Sequence, residues 1–235
     1  NFNNYFGRIY QPRYLSGIAA GLNTKTNKIG YVAAMGLDNS EVTGGIDAFA
    51  LGIYSVNPDA KVYVKVTNSW YDPKGEEEAA KTLLNMNCDV IAQHCDTVYP
   101  QTLAQEKGVY SIGYNSDMSK EAPEACLCSV IWNWSAYYTS AVQSVIDGTW
   151  DGSNYYGGMN ENLVSITPVA DFAADTTQEK VNVAKQQILS GKNGVFDGVI
   201  ETNTGATVGT AGKTLEDSVI TGGINWYFKT VSVIE

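Results

Sequence analysis

KVYVKVTNSWYDPKGEEEAAKTL, Lys61–Leu83, reads as a strand, a short loop and a helix in immediate succession. Lys61–Trp70 alternates and is rich in β-branched side chains, the pattern of a pleated strand. Asp72 is placed to cap a helix, Pro73 suits its first turn, and Glu76–Glu78 lie near its positive end. Leu83, Leu84 and Met86 complete the apolar face of that helix. Trp70 is left over: a large aromatic on a loop, just past a strand end, is not ordinary core.

The same alternation extends in both directions. Arg13–Leu22 has apolar residues at helical spacing, with small residues for close packing. Lys28–Met35 is a short apolar run of the buried-strand type. Glu41–Val56 sets Val42, Ile46, Phe49 and Ile53 on one helical face, and the proline of NPDA ends it. Residues 88–96 form a strand, and 97–108 a helix closed by Gly108. Strands at 109–117 and 125–133 precede a helix at Trp134–Ile146. Residues 154–170 hold strand material with glycine turns, Thr177–Ser190 is a helix, and the tail is loop and short strand. This repeated strand–helix rhythm predicts an α/β chain with a parallel sheet.

Composition narrows the function. The chain has 235 residues, 44% hydrophobic and 17% charged, enough for one large domain or two modest lobes. A net charge of −10 repels phosphate backbones, so no nucleic-acid partner is expected. No apolar run approaches a membrane span. Cys126 and Cys128 flank one strand residue and point to opposite faces, and Cys88 and Cys95 sit at opposite ends of another strand. Buried free thiols are the reading preferred for all four. Cys88, His94 (the only histidine), Cys95 and Asp96 are close in sequence but alternate in direction, so no metal site is expected.

In open parallel sheets, ligands bind outside the carboxyl ends of the strands. The loops there carry Met35–Ser40, Asn68–Asp72, His94–Thr97, Asn115–Met118 and Trp132–Trp134. They are rich in aromatics, amides and carboxylates. They contain no G-x-S-x-G elbow, no Walker loop and no G-x-G-x-x-G, and no nucleophile is visibly partnered to the histidine. Rings that stack and polar groups that read edges suit a flat polar ligand. Trp70 is then best explained as a stacking platform at a ligand cleft.

Several segments resemble a known family. GRIYQPRYLSGIAAG, KIGYVAAM, GIDAFALGIYSVNPDAKVYV, NSWYDPKGEEEAAKTL, DVIAQHCDT, GYNSDM and VIWNWSAYY…VIDGTW occur in order over most of the chain. The chain resembles the basic membrane protein group of substrate-binding proteins, the purine-nucleoside receptor relatives that serve ABC importers. The resemblance implies a type I periplasmic-binding fold, with two lobes of parallel sheet flanked by helices. Crossovers are implied near Asn23–Lys28, Ser129–Asn133 and Gly152–Tyr156. Residues 1–22 and 134–152 would then be what remains of the first lobe, and 23–133 with 153–235 the second. The family normally opens with several βα units before YFGRIYQPRYLSG. They are absent here, so the first lobe is expected to be incomplete.

The resemblance also implies a pocket. Trp70 falls at the ring-stacking position, and Asp72 follows by two, where a helix cap is an equal alternative. Asn115 and Asp117 fall where the family uses acidic residues against sugar hydroxyls or ring nitrogens. The amide at Asn115 both donates and accepts, which suits a mixed edge and weakens a two-hydroxyl ribose grip. His94 and Asp96 end the neighbouring strand, with a buried, satisfied histidine as the bland alternative for His94. Trp132 and Trp134 bracket a hinge, facing the cleft or packing within it. Tyr5, Phe6 and Arg8 are weaker candidates at the first-lobe edge.

The expected function is a solute receptor that closes on a purine base or nucleoside and passes it to an ABC permease, with no cofactor and no catalysis. It would work outside the cytoplasm, tethered through a lipid anchor outside this chain. A sugar-type receptor of the same fold is the first alternative and a nucleoside-cleaving enzyme the second. Nothing basic or helix-turn-helix-like favours the effector lobe of a transcription factor.

Overall fold

The structure, a computed structural model, describes residues 2–235; Asn1 lies outside the described residues. Its centre is a seven-stranded sheet. The strands are β2 (Lys28–Ala33), β3 (Lys61–Val66), β4 (Val90–His94), β5 (Tyr110–Asn115), β6 (Cys126–Trp132), β8 (Val164–Ile166) and β11 (Val231–Ile234). Their order is β11-β3-β2-β4-β5-β6-β8, parallel except for the antiparallel edge strand β8. The inner strands are almost continuously buried, as a parallel sheet covered on both faces requires.

Two helical layers provide that cover. On one face lie α1 (Tyr10–Asn23), α2 (Ser40–Tyr54) and α6 (Thr177–Leu189); on the other lie α3 (Pro73–Asn85) and α4 (Tyr99–Glu106). Leu15, Ile46, Phe49, Tyr31 and Leu127 belong to the first core; Val32, Ala80, Leu83, Ile91 and Leu103 belong to the second. The helices α1 and α2 meet backbone to backbone. A Cβ on Gly17 would overlap the Phe49 carbonyl oxygen, and one on Gly52 that of Tyr14, so both positions need glycine. All four cysteines are buried and unpaired.

A smaller piece stands beside this body. Strand β1 (Tyr5–Gly7) pairs in parallel with β7 (Tyr155–Gly157), next to α5 (Ser135–Ile146). Tyr137 of α5 lies 4.6 Å, ring to ring, from both Tyr5 and Tyr155. Only Tyr137 of α5 is buried, whereas Val142, Val145 and Ile146 are exposed.

Tyr5–Gly7 join α5 and β7, while α1 is locked onto α2 by the glycine contact. Residues 23–28 turn from α1 into β2. The Asp89 carboxylate accepts hydrogen bonds there from the Thr24 hydroxyl and the Lys25 and Thr26 amides. The tail also holds more order than a loop with short strand. It contains β9 (Asp197–Glu201) paired antiparallel with β10 (Thr207–Thr214), then α7 (Asp217–Gly222), and β11, which joins the main sheet beside β3.

Candidate functional site

The carboxyl ends of β2, β3, β4, β5 and β6 meet at one edge of the sheet, and side chains from each contribute to a connected patch. His94 ends β4 at its centre and is fully buried. Trp70, half-buried on the loop after β3, lies 5.9 Å from the His94 ring with the two planes inclined at 68°. Tyr114, near the end of β5, lies 4.3 Å from His94 on another side. The loop after β2 leads into α2, whose Asn39 side chain caps the helix by accepting from the Val42 amide and so fixes Glu41 in the first turn.

Hydrogen bonds join these groups into a chain. Trp132 Nε1 donates to the Tyr114 hydroxyl (3.3 Å), which donates to Glu41 Oε1 (3.2 Å). The same oxygen lies 3.4 Å from His94 Nε2, and His94 Nδ1 lies 3.4 Å from the Tyr31 hydroxyl. A carboxylate only accepts, so Nε2 carries the imidazole proton and Nδ1 accepts from Tyr31. Burial and then the Arg13 guanidinium lower the His94 pKa from 6.5 to about 4, against the pull of Glu41. The ring is therefore neutral near pH 7.

Arg13 lies beneath this patch and is fully buried. Its guanidinium donates to the Gln93 carbonyl at 2.8 Å and stands 4.3 Å from the Tyr114 ring centre. Beside Trp70, the Asp96 amide donates to the Trp70 carbonyl at 2.9 Å. Burial, followed by the neighbouring carboxylates of Glu76 and Glu41, raises the Asp96 pKa. A small cavity of about 60 Å³ borders Glu41, lined also by Phe6, Tyr10, Tyr156 and Thr221. Closed ligand pockets measure roughly 300–1,000 Å³, so this cavity alone is too small to enclose a ligand.

Trp70, His94 and Asp96 thus come together, and Trp132 is joined to them through Tyr114. Trp134 stacks on Trp132 at 4.6 Å with a 6° interplanar angle, and Phe6 packs 5.0 Å from Trp132. Asp72 acts as the α3 cap, its carboxylate accepting from the Gly75 amide. Asn115, the last residue of β5, and Asp117, on the loop after it, are both exposed. Asn115 has a left-handed backbone (φ 72°), and Asp117 accepts from the Ser119 amide within its own turn. Among the weaker candidates, Tyr5 packs on Tyr137, and the Arg8 guanidinium is committed to Asp217 (2.6 Å) on α7.

Arg13, Tyr31, Glu41 and Tyr114 were not foreseen. Arg13 and Tyr114 lie inside segments read as helix and strand, where they look like packing. Glu41 had one available signal, a carboxylate in the first turn of a helix that follows a strand-end loop. Among the described residues, no group of three or more His, Cys, Asp or Glu is placed to hold a metal ion.

The carboxyl edge of the parallel sheet thus carries aromatic rings, a neutral imidazole and accepting carboxylates. The family whose members are described as PnrA-like ABC transporter substrate-binding proteins, Bmp, matches residues 1–195, and the chain belongs to it. It is 38% identical over 198 residues to a Haloferax volcanii protein provisionally named as an ABC transporter glucose-binding protein, covering 84% of this chain and 50% of that one. It is 35% identical over 227 residues to a purine-binding protein of Brucella abortus, covering 97% of this chain and 64% of that one. The chain thus spans between half and two thirds of these relatives. An ABC transporter solute-binding protein from Aeropyrum pernix K1 superposes with a TM-score of 0.69 at 17% identity, over 80% of this chain and 64% of that one. That likeness shows the fold, which is the α/β architecture of periplasmic solute-binding proteins.

Proposed function

We propose that this chain grips the ligand of an extracytoplasmic solute receptor, and that the ligand is a purine base or nucleoside delivered to an ABC permease. The observation that carries the reading is Trp70, held half-buried beside His94 and Asp96 at the carboxyl edge of a parallel sheet. An indole there offers a stacking face to a flat ring, and the polar groups around it read the ring's edge. Asn115, exposed at the end of β5, both donates and accepts, which would favour a base edge over a ribose diol. Membrane attachment would come from a lipid anchor outside this chain; no described helix is long and apolar enough to cross a membrane.

Binding without catalysis is the reading the side chains support. Burial raises the pKa of the Cys88 thiol to about 12 and those of Cys95 and Cys128 well above 9, which disfavours reactive thiolates. The sugar reading draws support from the Haloferax relative, because aromatic rings with carboxylates also grip hydroxyl-rich ligands.

Titration calorimetry with adenine, adenosine and glucose separates these readings. The wild-type chain is expected to bind a purine, and Trp70→Ala to weaken that binding by about ten- to a hundredfold with an unchanged melting temperature, the scale of one base–aromatic stack. Glucose binding without purine binding would establish the sugar reading. Equal purine affinity in the Trp70→Ala variant would remove Trp70 from the site.

A further inference from the structure

Glu41 uses its two carboxylate oxygens differently. Oε1 accepts from the Tyr114 hydroxyl and from His94 Nε2, while Oε2 has no hydrogen-bond partner among the described residues. The side chain is 21% exposed and borders the cavity lined by Phe6, Tyr10 and Tyr156. The groups holding Oε1 come from separate elements, Tyr114 from β5 and His94 from β4, and His94 is in turn held by Tyr31 of β2. Gly45, one turn beyond Glu41 on α2, lies so close to His94 that an added Cβ would stand 2.9 Å from Nδ1. The imidazole thus sits between Tyr31 and Gly45 on its Nδ1 side and Glu41 on its Nε2 side.

We infer that Glu41 reads the hydrogen-bonding edge of the ligand through Oε2, and that the cleft selects flat bases offering an N–H donor. The inference rests on the purine reading above and sharpens it. A carboxylate oxygen accepts and never donates, so a ligand atom set against Oε2 must bring a proton. An exocyclic amine or a protonated ring nitrogen does so; a bare ring nitrogen there would leave two acceptors face to face. His94 is a positioning residue in this scheme. Its single proton goes to Oε1, so it neither competes for Oε2 nor offers the ligand a second donor.

Glu41→Gln tests this directly. The amide oxygen can still accept from Tyr114 and His94, which leaves the amide NH₂ facing the cleft as a donor. The probes are 9-methyladenine against 9-methylpurine, and adenosine against purine riboside; each pair differs by one exocyclic amine. Wild type is expected to prefer the amine-bearing member by about tenfold or more, the worth of one hydrogen bond to a charged acceptor. Glu41→Gln is expected to erase or invert that preference with its melting temperature unchanged. Should Glu41→Gln fail to fold, Glu41→Asp keeps the charge and is expected to keep the preference at lower affinity. No amine preference in wild type, a preference that survives Glu41→Gln, or one lost in a folded Glu41→Asp would overturn the inference while leaving the purine reading intact. A wild-type chain that binds none of the four probes would instead sink the purine reading, and this inference with it.

Discussion

With its ring fully buried beside Arg13, His94 titrates near pH 4 when folded, against about 6.5 when unfolded. As pH falls, the unfolded chain therefore takes up the proton first. Stability contributed by the neutral ring is complete above about pH 6.5 and is lost as pH falls from there to about 4. The gap of about 2.5 units corresponds to about 3 kcal/mol. Asp47 and Asp96 act in the opposite sense: their raised values make the folded chain bind protons first and gain stability on acidification. The informative quantity is thus the margin between wild type and His94→Gln, measured by urea denaturation from pH 7.5 to 4. That margin is expected to shrink by about 3 kcal/mol across the range; a constant margin would mean that His94 is not held neutral. The sequence singles out His94 because it is the only histidine, but its partners come from α1, β2, α2 and β5 and are assembled only by the fold.

Among the elements, α3 shows how much local sequence chemistry settles. Asp72 accepts from the Gly75 amide, and Glu76 reaches back to accept from the Asp72 amide at 3.1 Å while also holding the Thr97 amide. Removing the cap in Asp72→Ala is expected to cost about 1 kcal/mol of stability, and Asp72→Asn much less. A thermal or urea midpoint for Asp72→Ala equal to wild type would show that the cap is redundant with Glu76. Strands and helices from Lys28 to Ile146 were legible because each carries its own signal: a β-branched run, a 3.6-residue stripe, a cap or a terminal glycine. The weaker elements were not. β11 has four residues and is fixed as a strand by pairing with β3, and α7 spans six residues and carries only Ile220 into the core. Tertiary contact, not local propensity, makes both.

For the molecule as a whole, the α/β class followed from the strand–helix rhythm, which also singled out the carboxyl edge of the sheet as the candidate site. The close contact at Gly17 and Gly52, which no local sequence signal announces, packs α1 against α2. Residues beyond the family match at 195 also bind the whole together. β11 extends the sheet, and Asp217 of α7 holds Arg8 next to β1 through bonds of 3.1 Å to Nε and 2.6 Å to Nη2. The piece formed by β1, β7 and α5 is therefore tied to the body close to Glu41, where Ser40 donates to the Thr221 carbonyl of α7. The central claim is that the edge carrying Trp70, His94 and Glu41 holds a purine. Its most direct test is to denature the purified chain and identify the small molecule released by mass spectrometry, reloading the protein with purines first if it emerges empty. A purine base or nucleoside is expected at a stoichiometric level. A stoichiometric sugar, or a folded chain that retains no purine even after reloading, would contradict it.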